Sequence, residues 1–339
     1  MEQDAAGLDF LKRLRWNGQR SSHFEIWSTT MNQLTSGAGF WIQYSLWVSR
    51  RKEINLQILF ASYVPDLEDA NVAVAQRYPA NQFLAEAQPF LLQMGPCRLQ
   101  SGRMTGMIEA NGTPVTWDLV YEPVTDPLQY LPDGFYRTDM MGSKILIPHP
   151  FMSIGGKIQI RDHSFILNND TGQQSHAWGR RYPAEWIWFH CSSFVEAGSE
   201  PLPAYVTGLI AQPHLIGNLR LAPSSFGHLV WKEKHLELRS QISWEHRREG
   251  GWEWKGSLGE EEVVVTLTFP WAEMVLAEYE DPAGPAIYCH HTDRADCTVR
   301  FRAPRQPPSI FRSAGRTQLE IGSRSADPRA QRKVRVQSL

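Results

Sequence analysis

Residues 40–48, Phe-Trp-Ile-Gln-Tyr-Ser-Leu-Trp-Val, alternate so that two sets of side chains point in opposite directions. One set is wholly apolar or aromatic, and the other mixes tryptophan with glutamine and serine. A period of two is typical of a β-strand with one buried face. Similar runs occupy 54–64, 115–121, 186–194, 205–211, 235–244 and 263–269, and Gly, Pro and Asn turns recur between them. The pattern predicts an all-β fold of barrel or sandwich type, with less than about one fifth helix.

The length of 339 residues indicates two domains, at roughly 150 residues each. Residues 196–203, Glu-Ala-Gly-Ser-Glu-Pro-Leu-Pro, form a polar, proline-rich stretch between two strong strand patterns. We therefore expect an N-terminal β domain over residues 1–196 and a C-terminal β domain over 197–322. Residues 323–339 hold five Lys/Arg and one acid, which predicts a flexible basic tail that could contact an anionic membrane surface.

The composition argues against several classes of protein. With 34 Lys+Arg and 36 Asp+Glu the net charge is −2, whereas a dedicated nucleic-acid binder needs a strongly basic face. No run approaches 18 apolar residues, so we expect no transmembrane segment. The acidic start does not resemble a secretory signal, and the four cysteines lie outside any C-x-x-C motif. These features predict a cytoplasmic protein with reduced thiols, no metal site and, because Gly-rich nucleotide loops are absent, no cofactor.

Most of the chemical information lies in residues 172–194. His176 and Trp178 share one face of a predicted strand, and the next strand places Trp186, Trp188 and His190 on one face. Such a face suits the wall of a cavity with a proton-transfer group, and aromatic faces stabilise cations. The same pattern also fits two strands whose tryptophans fill a barrel, with the histidines as hydrogen-bonded core residues. The residues alone leave both interpretations open.

Two carboxylates are candidates for a general acid beside His176. Glu25 directly precedes Ile26 and Trp27 in a predicted strand, and burial on an aromatic face would raise its pKa. Glu185 lies next to Trp186, so it either reaches the same cavity or caps a strand end in water.

The run His176-x-Trp178-Gly179-Arg180, followed by Trp186-x-Trp188-x-His190-Cys191, resembles the signature of a lipocalin-like superfamily. That superfamily joins carotenoid 1,2-hydratases (hydroxyneurosporene synthases), AttH-type proteins, tocopherol cyclases and fungal Diels–Alderases. Residues 178–186 are similar to the Trp-Gly-Arg-x-x-Pro-x-x-Trp core of the tocopherol cyclases. Residues 24–27, 39–44 and 147–156 resemble segments of the AttH and hydratase branch, and the likeness runs in order from about residue 20 to 303.

The resemblance implies two lipocalin-like antiparallel β-barrel or sandwich domains with a hydrophobic isoprenoid, polyene or lipid in an aromatic cavity. For catalysis the candidates are His176, Glu25 and Glu185. For substrate binding they are Trp178, Arg180, Trp186, Trp188, His190, Trp41 and Tyr205. The hydratases carry a Tyr-x-Asp pair in the following strand, whereas the counterpart here, Tyr205-x-Thr207, lacks the carboxylate. This difference argues against hydration, which needs an acid to protonate the alkene.

Two functions from different classes follow from these residues. The first is a cyclase, isomerase or hydratase, with His176 as proton donor or orienter, the tryptophans as pocket and Arg180 as anchor for a polar head. The second is a lipid or pigment carrier of the lipocalin-like type, in which His176 only satisfies hydrogen bonds. Both take a hydrophobic small molecule as partner and no nucleic acid, and the sequence does not decide between them.

Overall fold

A computed structural model describes residues 11–194, 204–214, 219–231, 234–238, 243–247 and 251–337. The described residues are 65% strand and 5% helix, and the two large sheets correspond to two lipocalin-like domains, which confirms the predicted all-β class. None of the helices within the described ranges has the length and apolar character needed to cross a bilayer.

The first sheet takes its strands from the N-terminal half of the chain. These are β1 (His23–Asn32), β2 (Gly39–Val48), β3 (Ile54–Tyr63), β4 (Ala73–Tyr78), β5 (Phe83–Ala87), β6 (Phe90–Met94), β7 (Cys97–Gln100), β8 (Arg103–Ala110), β9 (Thr113–Pro123), β10 (Leu128–Gln129), β11 (Ser143–Ile160) and β12 (His163–Gly179). Their order across the sheet is β4-β3-β2-β1-β12-β11-β9-β8-β7-β6-β5, with β10 also paired to β11. A short helix, α1 (Asp133–Arg137), and two 3₁₀ turns (Glu68–Ala70 and Ala80–Gln82) lie between strands.

The second sheet is built from later residues. Its strands are β13 (Trp186–Cys191), β14 (Ala204–Ala211), β15 (Ser224–Trp231), β16 (Lys234–Leu238), β17 (Ser243–Arg247), β18 (Gly251–Leu258), β19 (Glu261–Thr268), β20 (Val275–Tyr279), β21 (Ile287–Arg302), β22 (Ser309–Ser323) and β23 (Arg332–Lys333). The order is β16-β15-β14-β13-β22-β21-β19-β18-β17, and β20 joins β21 to β23. A 3₁₀ turn, Trp271–Glu273, precedes β20.

The change from one sheet to the other comes earlier than residue 196. β12 ends at Gly179 in the first sheet, and β13 begins at Trp186 between β14 and β22 of the second. The sheets therefore change between residues 179 and 186, and the predicted boundary at 196/197 does not coincide with this change. The polar stretch that suggested it, residues 196–203, lies outside the described residues. β13 and β14 pair antiparallel on either side of that stretch, so it connects two strands of one sheet rather than two domains.

The C-terminal residues hold the two sheets together. β23 pairs with β20 in the second sheet, and a final strand, β24 (Arg335–Gln337), pairs with β4 in the first. Arg332 Nη2 donates to the Ser62 carbonyl oxygen at 2.7 Å. The predicted flexible tail is therefore wrong for residues 323–337. Its basic composition indicated solvation, but two of its short segments extend existing sheets.

Strand alternation divides the core into three layers. Trp27, Tyr44 and their neighbours fill the interior of the first domain, and Phe189 and Trp254 belong to the interior of the second. A third cluster, which includes Trp188, lies where the two sheets face each other. β1 and β2 are buried on both faces, because one face lines the first interior and the other packs against the second sheet.

Candidate active site

A cavity of about 160 Å³, counted as space that the centre of a water molecule can reach, lies between the two sheets. Its wall is mainly apolar, and seven aromatic side chains belong to it: Phe24, Tyr130, Tyr182, Trp186, Trp188, Phe226 and Tyr279. Lining residues with partial exposure, such as Leu131, Met141 and Ser224, mark the mouth. Enclosed cavities that are mostly apolar with a few polar groups are the usual form of small-molecule sites.

Alternation on β1 and β12 determines which side chains reach the cavity. Phe24, Ile26 and Ser28 of β1 line it, together with Ser175 and Ala177 of β12. At about 3.3 Å per residue, the cavity follows β1 for roughly 13 Å from Phe24 to Ser28. Because successive residues point to opposite faces, the residues between these contacts face the interior of the first domain.

The inner end of the cavity is polar. Ser175, Ser28 and Gln43 lie opposite one another on three neighbouring strands, so their side chains form one row across the sheet. Trp41 Nε1 donates to Ser28 Oγ at 2.9 Å, and the Tyr279 hydroxyl donates to Gln43 Oε1 at 3.0 Å. This row can accept or donate hydrogen bonds to the polar end of a bound molecule.

Among the described residues, Glu320 of β22 is the one carboxylate that lines the cavity. It lies opposite Trp188 on β13 and opposite His291 on β21. Burial raises the pKa of Glu320 to about 7, and the hydrogen bond that Trp186 Nε1 donates to Oε2 at 3.3 Å opposes this rise. At neutral pH a large fraction of the side chain is thus a carboxylic acid. A partly buried acid that titrates near neutrality is suited to proton transfer.

Lys144 also lines the cavity, but no cationic side chain of the described residues forms an ion pair with Glu320. The described residues place no Lys, Arg or His nitrogen within ion-pair distance of its carboxyl group. Nearby Cys289 and Tyr279 also have raised pKa values, because both are buried and the charge of Glu320 disfavours their ionisation. The neighbourhood therefore favours the neutral form of each acid.

A second buried acid, Asp293, lies farther along β21 beyond His291. Its carboxyl oxygens have no hydrogen-bond partner, and burial raises its pKa well above the usual value, with a further contribution from Glu320. His291 Nε2 is 3.7 Å from Asp293 Oδ1, and burial lowers the pKa of His291 to about 3. Both side chains are therefore neutral. The described residues contain no group of three or more His, Cys, Asp or Glu placed to hold a metal ion.

Glu25 and His176, predicted as the acid pair, do contact each other but face the interior of the first domain. His176 Nε2 is 2.8 Å from Glu25 Oε1, and His23 Nε2 is 3.0 Å from Oε2. The backbone N–H groups of Arg15 and Trp16 donate to the same carboxylate at 2.7 and 3.0 Å. Burial alone would raise the pKa of Glu25, but the hydrogen bonds from His176 and His23 outweigh it and the pKa is lowered. The expected raised pKa is therefore wrong.

The contact made by the second ring nitrogen of His176 shows that this cluster has a structural role. Nδ1 is 2.9 Å from the carbonyl oxygen of Leu11, which can only accept, so Nδ1 carries a proton. Nε2 is within hydrogen-bond distance of the Glu25 carboxylate, so both ring nitrogens of His176 have partners inside the domain. Trp27 Nε1 also donates to the Lys12 carbonyl oxygen at 2.7 Å. The cluster thus fixes residues 11–16 onto the first domain.

The other predicted residues divide by face. Trp186 and Trp188 line the cavity, whereas the ring of Trp178 lies tilted against that of His176, with centroids 4.9 Å apart, on the face of β12 away from the cavity. The expectation that His176 and Trp178 share a wall with the later tryptophans is therefore wrong. His190, Tyr205 and Trp41 lie between the sheets behind the cavity wall: His190 stacks on Tyr205, and Trp41 stacks on His291.

The two predicted polar residues at the strand ends lie nearer to solvent. Arg180 Nη2 donates to the Asp139 carbonyl oxygen at 3.1 Å near the mouth, so it could still contact a polar group that enters there. Glu185 is exposed and does not line the cavity, as in the alternative interpretation of a strand end in water.

Sequence reasoning missed Glu320, although a signal was present. Residues 317–322, Thr-Gln-Leu-Glu-Ile-Gly, alternate so that Gln318 and Glu320 share a face. A glutamate between Leu319 and Ile321 is typical of the solvent face of a strand, but here that face lines the cavity together with residues of the first sheet.

Two facing β domains with an aromatic cavity between them define a lipocalin-like fold. The model of the tocopherol cyclase-like family matches residues 141–323, more than half of the chain, and the chain belongs to that family. The match includes β13 and β22, which carry Trp186, Trp188 and Glu320. The resemblance that the sequence motif indicated is thereby confirmed.

Solved structures with the same fold include three proteins of low sequence identity. A protein assigned as an AttH from Nitrosomonas europaea aligns with a TM-score of 0.52 and 15% identity, over 88% of this chain and 92% of its own. Kievitone hydratase from Nectria haematococca aligns with a TM-score of 0.51 and 12% identity, over 93% of this chain and 94% of its own. CghA aligns with a TM-score of 0.53 and 8% identity, over 90% of this chain and 89% of its own. No curated protein sequence gives a significant match to the chain.

Proposed function

We propose that this protein is an enzyme that cyclises, isomerises or hydrates an extended hydrophobic molecule held between its two sheets, with Glu320 as the proton donor. The observation that supports this most is the chemistry of Glu320. Its carboxyl group opens into an aromatic cavity, and its pKa of about 7 lets it be protonated at neutral pH. Membership of the tocopherol cyclase-like family, and the likeness to a kievitone hydratase, agree with acid-assisted chemistry.

The proposed reaction begins with transfer of the Glu320 proton to one carbon of a substrate double bond. A C–H bond forms, the π bond breaks, and the neighbouring carbon becomes a cation while Glu320 becomes a carboxylate. The π faces of Trp186 and Trp188 stabilise the cation, since both rings line the same cavity. An oxygen of the substrate or of water then bonds to the cation, or a C–H proton leaves. The released proton restores the Glu320 carboxyl group.

Two further features of the cavity serve this reaction. The Trp186 N–H holds Glu320 and stabilises the carboxylate that the transfer leaves behind. Ser28 and Gln43 at the inner end can bind a polar group of the substrate and so orient its double bonds. His176, Glu25 and Glu185 have no part in the proposed chemistry, because they do not line the cavity.

Filling the cavity is expected to prevent ligand binding. Ala211 lines the apolar side of the cavity, and a tryptophan there would occupy much of its volume. We expect Ala211→Trp to weaken binding of the neutral fluorophore N-phenyl-1-naphthylamine by at least about tenfold, since apolar contact area drives binding. Fluorescence titration measures the effect. The control is Ala87→Trp on the exposed β5, which should bind like the wild type. Unchanged binding by Ala211→Trp would show that the fluorophore binds elsewhere.

Extraction of bound molecules tests the reaction itself. We expect mass spectrometry to find a cyclised, isomerised or hydrated compound on the wild type, or none, and its unreacted precursor on Glu320→Gln. If both proteins carry the same unreacted lipid in equal amount, the chain is a carrier and the proposed enzyme activity is wrong.

A further inference from the structure

The mouth of the cavity is surrounded by segments that hydrogen bonds connect into one rim. The Gly142 N–H donates to the His214 carbonyl oxygen at 2.7 Å, and the Arg180 N–H donates to the Gly142 carbonyl oxygen at 2.8 Å. His214 forms a β-bridge with Arg220. On the other side, the Tyr136 hydroxyl of α1 donates to the Ile145 carbonyl oxygen at 2.8 Å. We use "rim" for α1, residues 138–144, 180–185, 213–214 and 219–220, and the loop 281–285.

The rim carries large apolar side chains that nothing in the described chain covers. Phe135 of α1 is 39% exposed, Met140 is 54% exposed and Leu219 is 62% exposed. Met140 is next to Met141, which lines the cavity, and Leu219 is next to Arg220 of the bridge to His214. The three apolar side chains are thus on the segments through which a ligand must pass. Exposed apolar groups around a site usually mark an interaction surface.

Together with two arginines that contact it, the rim has seven cationic and four acidic side chains, whereas the chain as a whole has a net charge of −2. Its cationic side chains are Arg137, Lys144, Arg180, Arg181 and Arg220, and Arg20 and Arg324 contact it through Asp139 and Asp281. Its acidic side chains are Asp133, Asp139, Glu185 and Asp281. Burial and the nearby charges of Arg20, Arg15 and Arg180 lower the pKa of Lys144, and Asp139 opposes this effect. Burial and the charges of Arg181, Arg220 and Arg324 likewise lower the pKa of His214.

We propose that this rim docks on an anionic lipid surface and that an apolar ligand passes directly between the bilayer and the cavity. Apolar side chains that enter the acyl region and cations that meet anionic headgroups are the two requirements for reversible membrane binding, and the rim has both. A hydrophobic ligand dissolves in the bilayer rather than in water, so a cavity that opens toward the bilayer avoids exposure of the ligand to water. This inference does not depend on the chemistry of Glu320 and would hold for a carrier as well.

Sedimentation with vesicles tests the proposal on the full chain. We expect binding to phosphatidylcholine vesicles that contain roughly 30% phosphatidylglycerol, and at least about tenfold weaker binding to pure phosphatidylcholine, because the cations need anionic headgroups. About 0.5 M NaCl should release most of the bound protein, since salt screens exposed charges. Equal binding to both vesicles, or none to either, would contradict the proposal.

A matched pair of triple variants locates the surface. Replacing Phe135, Met140 and Leu219 by serine should weaken vesicle binding by at least about tenfold. The control replaces Leu84, Met107 and Ile166 by serine; these are 45%, 56% and 59% exposed and lie outside the rim on the first domain. The control should bind like the wild type. An equal loss in both triple variants, or no loss in the rim variant, would overturn the assignment of the rim. In each variant the affinity for N-phenyl-1-naphthylamine should be unchanged. This control shows that a loss of vesicle binding does not come from damage to the ligand cavity.

Discussion

Glu320→Gln is expected to lower turnover by about two to four orders of magnitude, the usual contribution of a general acid. Glutamine keeps the size and the hydrogen bond from Trp186 but has no proton of suitable acidity. Ligand binding should therefore stay within about threefold of the wild type, because the lost interaction acts in the transition state. The assay supplies the compound extracted from Glu320→Gln to each protein and follows its conversion by mass spectrometry.

The control for this variant is Glu278→Gln, the same change at an exposed position of β20 that does not line the cavity. It should convert the compound at the wild-type rate. Full activity of Glu320→Gln would remove Glu320 from the mechanism. Equal losses of turnover and of binding would instead show that Glu320 holds the ligand and does not transfer a proton. The wild-type rate should also fall as pH rises through about 7, because the acid form of Glu320 is then lost.

Glu25→Ala is expected to destabilise the protein by about 3–5 kcal/mol, the typical cost of removing one partner from a buried ion pair. The change leaves the rings of His176 and His23 and two backbone N–H groups without their partner inside the first domain. Urea unfolding measures the loss as a shift in midpoint. Glu86→Ala on β5, an exposed glutamate of the same sheet, should change stability by less than about 0.5 kcal/mol. A loss for Glu25→Ala as small as that of the control would contradict the assigned ion pair.

The same cluster determines how the free energy of unfolding changes with pH in acid. Because the pKa of Glu25 is lowered in the folded state, its contribution is fully present above the unfolded value of about 4.3. The contribution is lost as pH falls through the lower folded pKa. The free energy of unfolding of the wild type should therefore decrease more steeply in acid than that of Glu25→Ala. Parallel curves for the two proteins would show that Glu25 is not ionised in the fold.

The alternation of residues was sufficient to predict the all-β class and the shared face of Trp186 and Trp188. It could not show which face of β12 meets the cavity, because that strand is buried on both faces through its second half. His176 and Ser175 look equally suited to a cavity wall in the sequence, and only the packing of the second sheet on the first selects Ser175. The motif resemblance did identify the family, since it depends on the order of residues and not on their faces.

Contacts between distant parts of the chain account for what the sequence did not indicate. Glu320 is paired with Trp186 from more than one hundred residues earlier, so its burial depends on the assembled sheets. β23 and β24 are two and three residues long and carry no alternation that could predict a strand. Their pairing with β20 and β4 is determined by tertiary structure, which overrides the basic composition of the segment.

Infrared titration of Glu320 tests the central claim most directly, because it needs no substrate. The difference spectrum between the wild type and Glu320→Gln isolates the C=O stretch of one protonated carboxyl group. Spectra recorded between about pH 5 and pH 9 should show this band at the acid end and its loss near neutrality, well above the ordinary glutamate value of about 4.3. A difference spectrum that shows only a carboxylate across this range would mean that Glu320 is ionised in the cavity. In that case it could not donate the proton on which the proposed reaction depends.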